Sequence, residues 1–102
     1  MIETTYTKQD SILTIRPSGR LDSLSSPALE KDLVRHLDGV QDIIMDLASV
    51  EYVSSGGIRM MLATEQLLEK HGGKLKVLHV NPYILEVFDM VGFTDVIEVI
   101  RD

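Results

Sequence analysis

The stretch Asp46–Leu62, DLASVEYVSSGGIRMML, decides the fold of this chain. Its left half is typical of a buried strand that ends in a turn, and its right half opens a helix. Two serines and two glycines, residues 54–57, separate the halves. A serine at a helix start usually caps the helix, because its hydroxyl oxygen accepts a hydrogen bond from an unpaired backbone amide. We interpret one serine as a regulated hydroxyl that the glycines leave open to another molecule; a plain helix cap is the alternative.

Length and composition predict a single globular domain over residues 1–102. The chain has 44% hydrophobic and 25% charged residues, which are ordinary globular values. It has no cysteine, which excludes disulfides and thiolate metal sites, and its net charge of −6 disfavours nucleic-acid binding. No apolar run approaches the roughly 18 residues of a membrane span, and the N-terminus lacks a signal-peptide pattern. We therefore expect a cytoplasmic protein without membrane insertion.

The hydrophobic pattern predicts an α/β fold with the element order β-β-α-β-α-β-α-β. The predicted strands are Ile2–Thr7, Ser11–Arg16 (ended by Pro17), Asp42–Leu47 (covered on both faces), Lys74–Val80, and Asp95–Ile100 as a strand or extended tail. The predicted helices are Pro27–Leu37, a central helix from the glycines to Lys70, and Pro82–Met90. Strands separated by such helices are joined by right-handed crossovers, so we expect a mixed, largely parallel sheet.

A helical wheel that starts at Ser55 divides the central helix into a core arc and a solvent arc. The core arc holds Gly57, Met60, Met61, Ala63, Thr64, Leu67 and Leu68; the solvent arc holds Arg59, Glu65, Gln66, Glu69 and Lys70. Ile58 and Leu62 are apolar but fall on the solvent side, one and two turns beyond Ser55. We interpret them as a docking stripe for a partner; the alternative is that a neighbouring loop covers them.

The other chemistry-bearing residues do not predict an active site. Asp22, Asp46 and Glu51 have no spacing that fixes an acid/base pair or a magnesium site. The histidines, His36, His71 and His79, lie on different elements without metal-ligand spacing. Neither serine has a motif neighbour that supplies a general base, and the Ser-Gly-Gly turn lacks the lysine of a phosphate-binding loop. We therefore predict no catalytic residue, no metal site and no cofactor.

Several motifs, taken in order, resemble the STAS family, specifically the bacterial anti-sigma factor antagonists. They are Gly19-Arg20-Leu21-Asp22, where the family usually has Gly-Glu-Leu-Asp, then Asp46-Leu47, the Ser-Gly-rich turn, Gly72-Gly73, and Phe88-Asp89-Met90-Val91-Gly92-Phe93. The resemblance covers nearly the whole chain. It implies a single STAS domain, a small mixed sheet with helices mainly on one side.

The resemblance also implies site residues. Counting back from Gly72-Gly73 without a gap places Ser55 on the family's phosphorylated serine. Ser54 then replaces the aspartate that usually precedes it, which makes Ser54 a second candidate acceptor. Together with the docking stripe, the resemblance gives an expected partner-binding set of Asp22, Ser54, Gly56, Gly57, Ile58, Arg59 and Leu62.

The function that the resemblance implies is partner switching in bacterial transcription regulation. The unphosphorylated protein would bind an anti-sigma factor that is a GHKL-type serine kinase, and phosphorylation of the serine would release it. A PP2C-type phosphatase would reset the cycle. The chain would be a substrate and binding protein, not an enzyme, and a monomer or weak dimer. The alternatives are a STAS module of another signalling assembly or of a membrane transporter complex, and a small enzyme or ligand-binding domain.

Overall fold

Six strands and three α-helices make up residues 2–100, the part of the chain that the computed structural model describes. The strands are β1 (Glu3–Gln9), β2 (Ile12–Leu21), β3 (Asp42–Asp46), β4 (Ser49–Val53), β5 (Leu75–Leu78) and β6 (Glu98–Val99). The helices are α1 (Ser26–Val34), α2 (Ser55–Glu69) and α3 (Pro82–Met90), and a 3₁₀ turn spans Phe93–Asp95. No helix among these residues is long and apolar enough to cross a membrane.

The sheet has the strand order β1-β2-β3-β5-β6, and β4 pairs with the far end of β2. The β1–β2 pair is antiparallel, and the other four pairs are parallel. The predicted mixed, largely parallel α/β fold is therefore confirmed. The predicted order was wrong in one element, because the structure has two strands between α1 and α2 where we expected one.

A tight turn separates these two strands. The Asp46 carboxylate accepts a hydrogen bond from the Ala48 amide at 3.0 Å, and the Val50 amide donates to the Leu47 carbonyl at 3.0 Å. The turn lets β4 leave β3 and pair with β2 instead. The sequence analysis described the left half of Asp46–Leu62 as strand-like but placed only one strand, Asp42–Leu47, before the central helix, so β4 was not predicted as a separate strand.

Strand β2 continues through Pro17, where we expected it to end. Residues 12–15 of β2 pair with β3, and residues 18–21 pair with β4. Pro17 lies between these two paired segments, so its missing amide removes no hydrogen bond from either parallel ladder.

One face of the sheet is buried and the other is partly open, so the prediction that β3 is covered on both faces was wrong. The buried face consists of residues that are at most 1% exposed: Leu13, Ile15, Ile43, Met45, Leu75 and Val77. On the opposite face Thr14, Ile44 and Lys76 retain intermediate exposure. Tyr6, which pairs with Ile15, donates a hydrogen bond of 2.7 Å to Asp32 of α1. This one-sided burial agrees with the expectation that the helices lie mainly on one side.

The segment after α3 is folded back by aromatic packing. Gly92 adopts a left-handed backbone conformation with φ of 75°, and the Phe93 ring then stacks on Phe88 with centroids 4.0 Å apart. Phe88 and Phe93 are both buried. The 3₁₀ turn therefore replaces the start of the predicted strand Asp95–Ile100, of which only β6 remains.

Candidate functional site

The two serines at the start of α2 have different surroundings. Ser54 is the N-cap: its backbone is extended, and its Oγ accepts a hydrogen bond from the Gly56 amide at 3.2 Å. Ser55 is the first helical residue and is exposed. Its hydroxyl has no hydrogen-bond partner among residues 2–100. Ser54 is therefore the plain helix cap, whereas Ser55 carries a free, accessible hydroxyl.

The glycines bring a loop of the same chain close to α2, which corrects the expectation that they leave the turn open to another molecule. A Cβ on Gly56 would lie 2.8 Å from the Cα of Ser23. A Cβ on Gly57 would lie 2.7 Å from the carbonyl oxygen of Leu21. Only residues without side chains fit at these distances. Gly57 is itself buried.

Asp22 fixes the loop that packs against these glycines. One of its carboxylate oxygens accepts hydrogen bonds from the backbone amides of Leu24 and Ser25, at 3.0 and 2.9 Å. The bond from the Ser25 amide is the main reason that the pKa of Asp22 is lowered, and the nearby Arg20 guanidinium contributes to the same shift. The Ser54 amide donates to the Leu21 carbonyl at 2.8 Å, which joins this loop to the start of α2. Asp22 therefore shapes the site through the backbone.

An apolar groove begins beside the Ser55 hydroxyl. We call it the Ser55 groove; it is a cavity of about 320 Å³ lined by Ser55, Ile58, Arg59, Leu62, Val91, Gly92, Phe93 and Val96. Ile58 and Leu62 are partly buried against the core, while Val91 and Val96 are 58% and 59% exposed. The segment after α3 thus flanks the predicted stripe without closing over it. Sequence reasoning missed Val91 and Val96, because only tertiary packing brings them beside α2.

The buried face of α2 differs from the one that the helical wheel predicted, and the differences all lie in one direction. Glu65, predicted to face solvent, is 7% exposed, and its carboxylate accepts a hydrogen bond of 2.7 Å from the Leu75 amide at the start of β5. Ala63 and Leu67, predicted to lie in the core, are exposed. The buried face is therefore rotated toward the side that carries Ile58 and Leu62. This rotation explains why those two residues are partly buried.

A cluster of polar side chains, made up of Asp46, His79 and Arg16, lies at the end of β3. His79 Nδ1 is 2.8 Å from one Asp46 carboxylate oxygen, and Arg16 Nε is 3.5 Å from the other. Burial alone would raise the pKa of Asp46, but the hydrogen bonds from His79 and the Ala48 amide, with the Arg16 charge, lower it. Residues 2–100 contain no group of three or more His, Cys, Asp or Glu side chains that could hold a metal ion. The contact between Asp46 and His79 joins the end of β3 to the end of β5.

This chain belongs to the STAS domain family, because the model of that family matches residues 3–102. It is 32% identical to the anti-sigma-B factor antagonist of Staphylococcus aureus over 99 residues, which cover 96% of this chain and 90% of the relative.

Solved structures show the same fold. An anti-sigma factor antagonist from Mycobacterium paratuberculosis matches with a TM-score of 0.87 and 24% identity, over 100% of this chain and 87% of that one. The Bacillus protein SpoIIAA matches in its phosphorylated form with a TM-score of 0.73 and 18% identity, over 98% of this chain and 93% of that one. At these identities the likeness establishes the fold.

Proposed function

We propose that this protein is an anti-sigma factor antagonist that works by partner switching, and that Ser55 is its phosphorylated residue. The observation that carries the proposal is the exposed Ser55 hydroxyl, which has no partner among residues 2–100 and stands at the edge of an apolar groove. The antagonist relative in Staphylococcus aureus supports the class of function. On this proposal the chain is a binding protein and a kinase substrate in the cytoplasm of a bacterium, as a monomer or weak dimer.

The proposed modification is a transfer of phosphate from ATP by a GHKL-type kinase, which is also the anti-sigma factor. A bond forms between Ser55 Oγ and the γ-phosphorus, and the bond from that phosphorus to the β,γ-bridging oxygen breaks. ADP leaves, and the hydroxyl proton passes to solvent. A PP2C-type phosphatase would later hydrolyse the phosphoserine.

The added charge would change binding much more than folding. A phosphoserine carries about −1.5 to −2 charges at pH 7. The start of a helix tolerates such a charge, because the helix dipole and the unpaired amides favour anions there. A partner that contacts a neutral hydroxyl beside Ile58 and Leu62 would instead meet a desolvated charge. Release of the partner would follow with α2 intact.

The proposed docking surface combines the start of α2 with the loop beside it. Ile58, Arg59 and Leu62 would contact the partner directly, and Val91 and Val96 extend this apolar surface across the groove. Asp22, Ser54 and Gly56 would act mainly by holding the backbone in place, since their contacts are with the loop and the helix start.

Phosphate mapping tests the assignment of Ser55 against Ser54. Wild-type protein, Ser55→Ala and Ser54→Ala are incubated with the cognate kinase and ATP, and the products are analysed by mass spectrometry. We expect phosphate on Ser55 in the wild type and in Ser54→Ala, and none in Ser55→Ala. Ser54→Ala should lose about 1 kcal/mol of stability with its cap, so its unfolding midpoint is measured alongside. Phosphate found only on another hydroxyl, such as Ser25, would refute the assignment.

A further inference from the structure

Arg59 has no electrostatic partner, unlike the other arginines of residues 2–100. Its side chain is exposed and forms no ion pair or ring contact there. A second cavity, of about 300 Å³, has both Arg59 and Glu30 on its walls, yet the two do not pair. The other described arginines are all engaged: Arg16 with Asp46, Arg35 with Asp32, and Arg20 with Asp22 and the Tyr52 ring.

The free guanidinium lies one helical turn beyond the free hydroxyl. Residues four apart on a helix are neighbours on its surface, with Cβ atoms about 5–6 Å apart. Helical side chains lean toward the N-terminus of the helix, so the Arg59 side chain can reach back over the turn that carries Ser55. Both residues border the Ser55 groove.

We infer that Arg59 binds the phosphate of phosphorylated Ser55 in an intramolecular ion pair. The inference rests on the proposed function, because it takes Ser55 as the modified residue. Arginine suits this role, since its planar fork donates two parallel hydrogen bonds to phosphate oxygens. Within residues 2–100 no acidic side chain competes for Arg59, so pairing with the phosphate breaks no existing ion pair.

The ion pair gives phosphorylation a second effect on the docking surface. In the unmodified protein the Arg59 guanidinium is free to meet an acidic group of a partner. In the phosphorylated protein the same guanidinium is held over Ser55, where it neutralises part of the new charge. Phosphorylation would therefore add a charge that repels the partner and withdraw a cation that attracts it.

Titration of the phosphate tests the ion pair without a kinase or a partner. Phosphoserine is incorporated at position 55 during translation, and its second pKa is measured by ³¹P NMR in the otherwise wild-type chain and in Arg59→Gln. A nearby cation favours the dianion, so we expect the pKa, ordinarily about 6, to be about half a pH unit lower with Arg59 than with glutamine. The dipole and the unpaired amides at the start of α2 affect the phosphate pKa equally in both proteins.

Two further variants make the titration specific. Arg59→Lys keeps the positive charge without the fork and should give an intermediate pKa. Arg35→Gln removes an exposed arginine that directly follows α1 and pairs with Asp32, and it should leave the phosphate pKa unchanged.

Equal pKa values in the wild-type background and in Arg59→Gln would overturn the ion pair, while the proposed function would stand. Conversely, a kinase that leaves Ser55 unmodified would overturn the proposed function. The titration would still report on Arg59 in that case.

Discussion

Ser54 and Ser55 differ in chemistry because α2 begins between them. The cap residue has an extended backbone, which turns its Oγ back onto the Gly56 amide; the next residue is already helical, and its side chain points outward. Either serine could be a cap from the sequence alone, since the two assignments differ by a shift of one residue in the helix start. The resemblance to STAS proteins indicated the same residue, Ser55, that the structure leaves without a hydrogen bond.

The polar cluster around Asp46 predicts that the folded state loses stability at acidic pH. The folded state lowers the pKa of Asp46, so its ionised form stabilises the fold at pH values above the unfolded pKa of about 4. That contribution is lost as the pH falls below about 4 and through the folded pKa. We expect the urea midpoint to drop over this range in the wild type and to drop less in Asp46→Asn. Parallel curves for the two proteins would show that Asp46 contributes nothing to the pH dependence.

At the scale of elements, the start of α2 depends on its contact with the loop after β2. Gly56 and Gly57 allow this contact, and Asp22 holds the loop in the required shape. The site is therefore assembled from two segments that are distant in the chain, roughly residues 21–25 and 54–62. The sequence marks both segments, but it does not reveal that the glycines serve the contact between them.

A methyl group at residue 57 tests this contact. Gly57→Ala would place a Cβ 2.7 Å from the Leu21 carbonyl oxygen and 2.9 Å from Val53 Cγ1, so backbone must move. We expect a loss of about 1–3 kcal/mol in the free energy of unfolding, the usual cost of overpacking. Gln66→Ala, on the exposed face of the same helix, is the control and should change stability by less than about 0.5 kcal/mol. A Gly57→Ala protein as stable as this control would contradict the close packing.

Local patterns predicted the elements well where one segment carries its own signal. Period-two alternation indicated β1 and β2, and Pro27 and Pro82 marked the starts of α1 and α3 to within one residue. The N-cap of α1 is Ser25, and its side chain makes no cap hydrogen bond. The sequence predictions were wrong where contacts between distant segments determine the structure. β4 exists because it pairs with β2, and Glu65 is buried because the Leu75 amide needs an acceptor. No local pattern encodes such pairings.

At the scale of the whole molecule, the proposed switch alters one surface of an otherwise unchanged fold. The core lies on one face of the sheet, and the Ser55 groove lies between the start of α2 and the segment after α3. Phosphate on an exposed residue at that edge disturbs no core contact, since Ser55 contributes none. Control of binding by charge at the surface is therefore compatible with a stable domain.

The affinity of the cognate anti-sigma kinase for the protein with serine or phosphoserine at position 55 tests the central claim most directly. Isothermal titration calorimetry without ATP would measure both, with Ser55→Ala as the uncharged control. We predict that serine and alanine bind alike and that phosphoserine weakens binding by at least about tenfold, because the new charge faces the partner. Equal affinities for the serine and phosphoserine proteins would contradict the account.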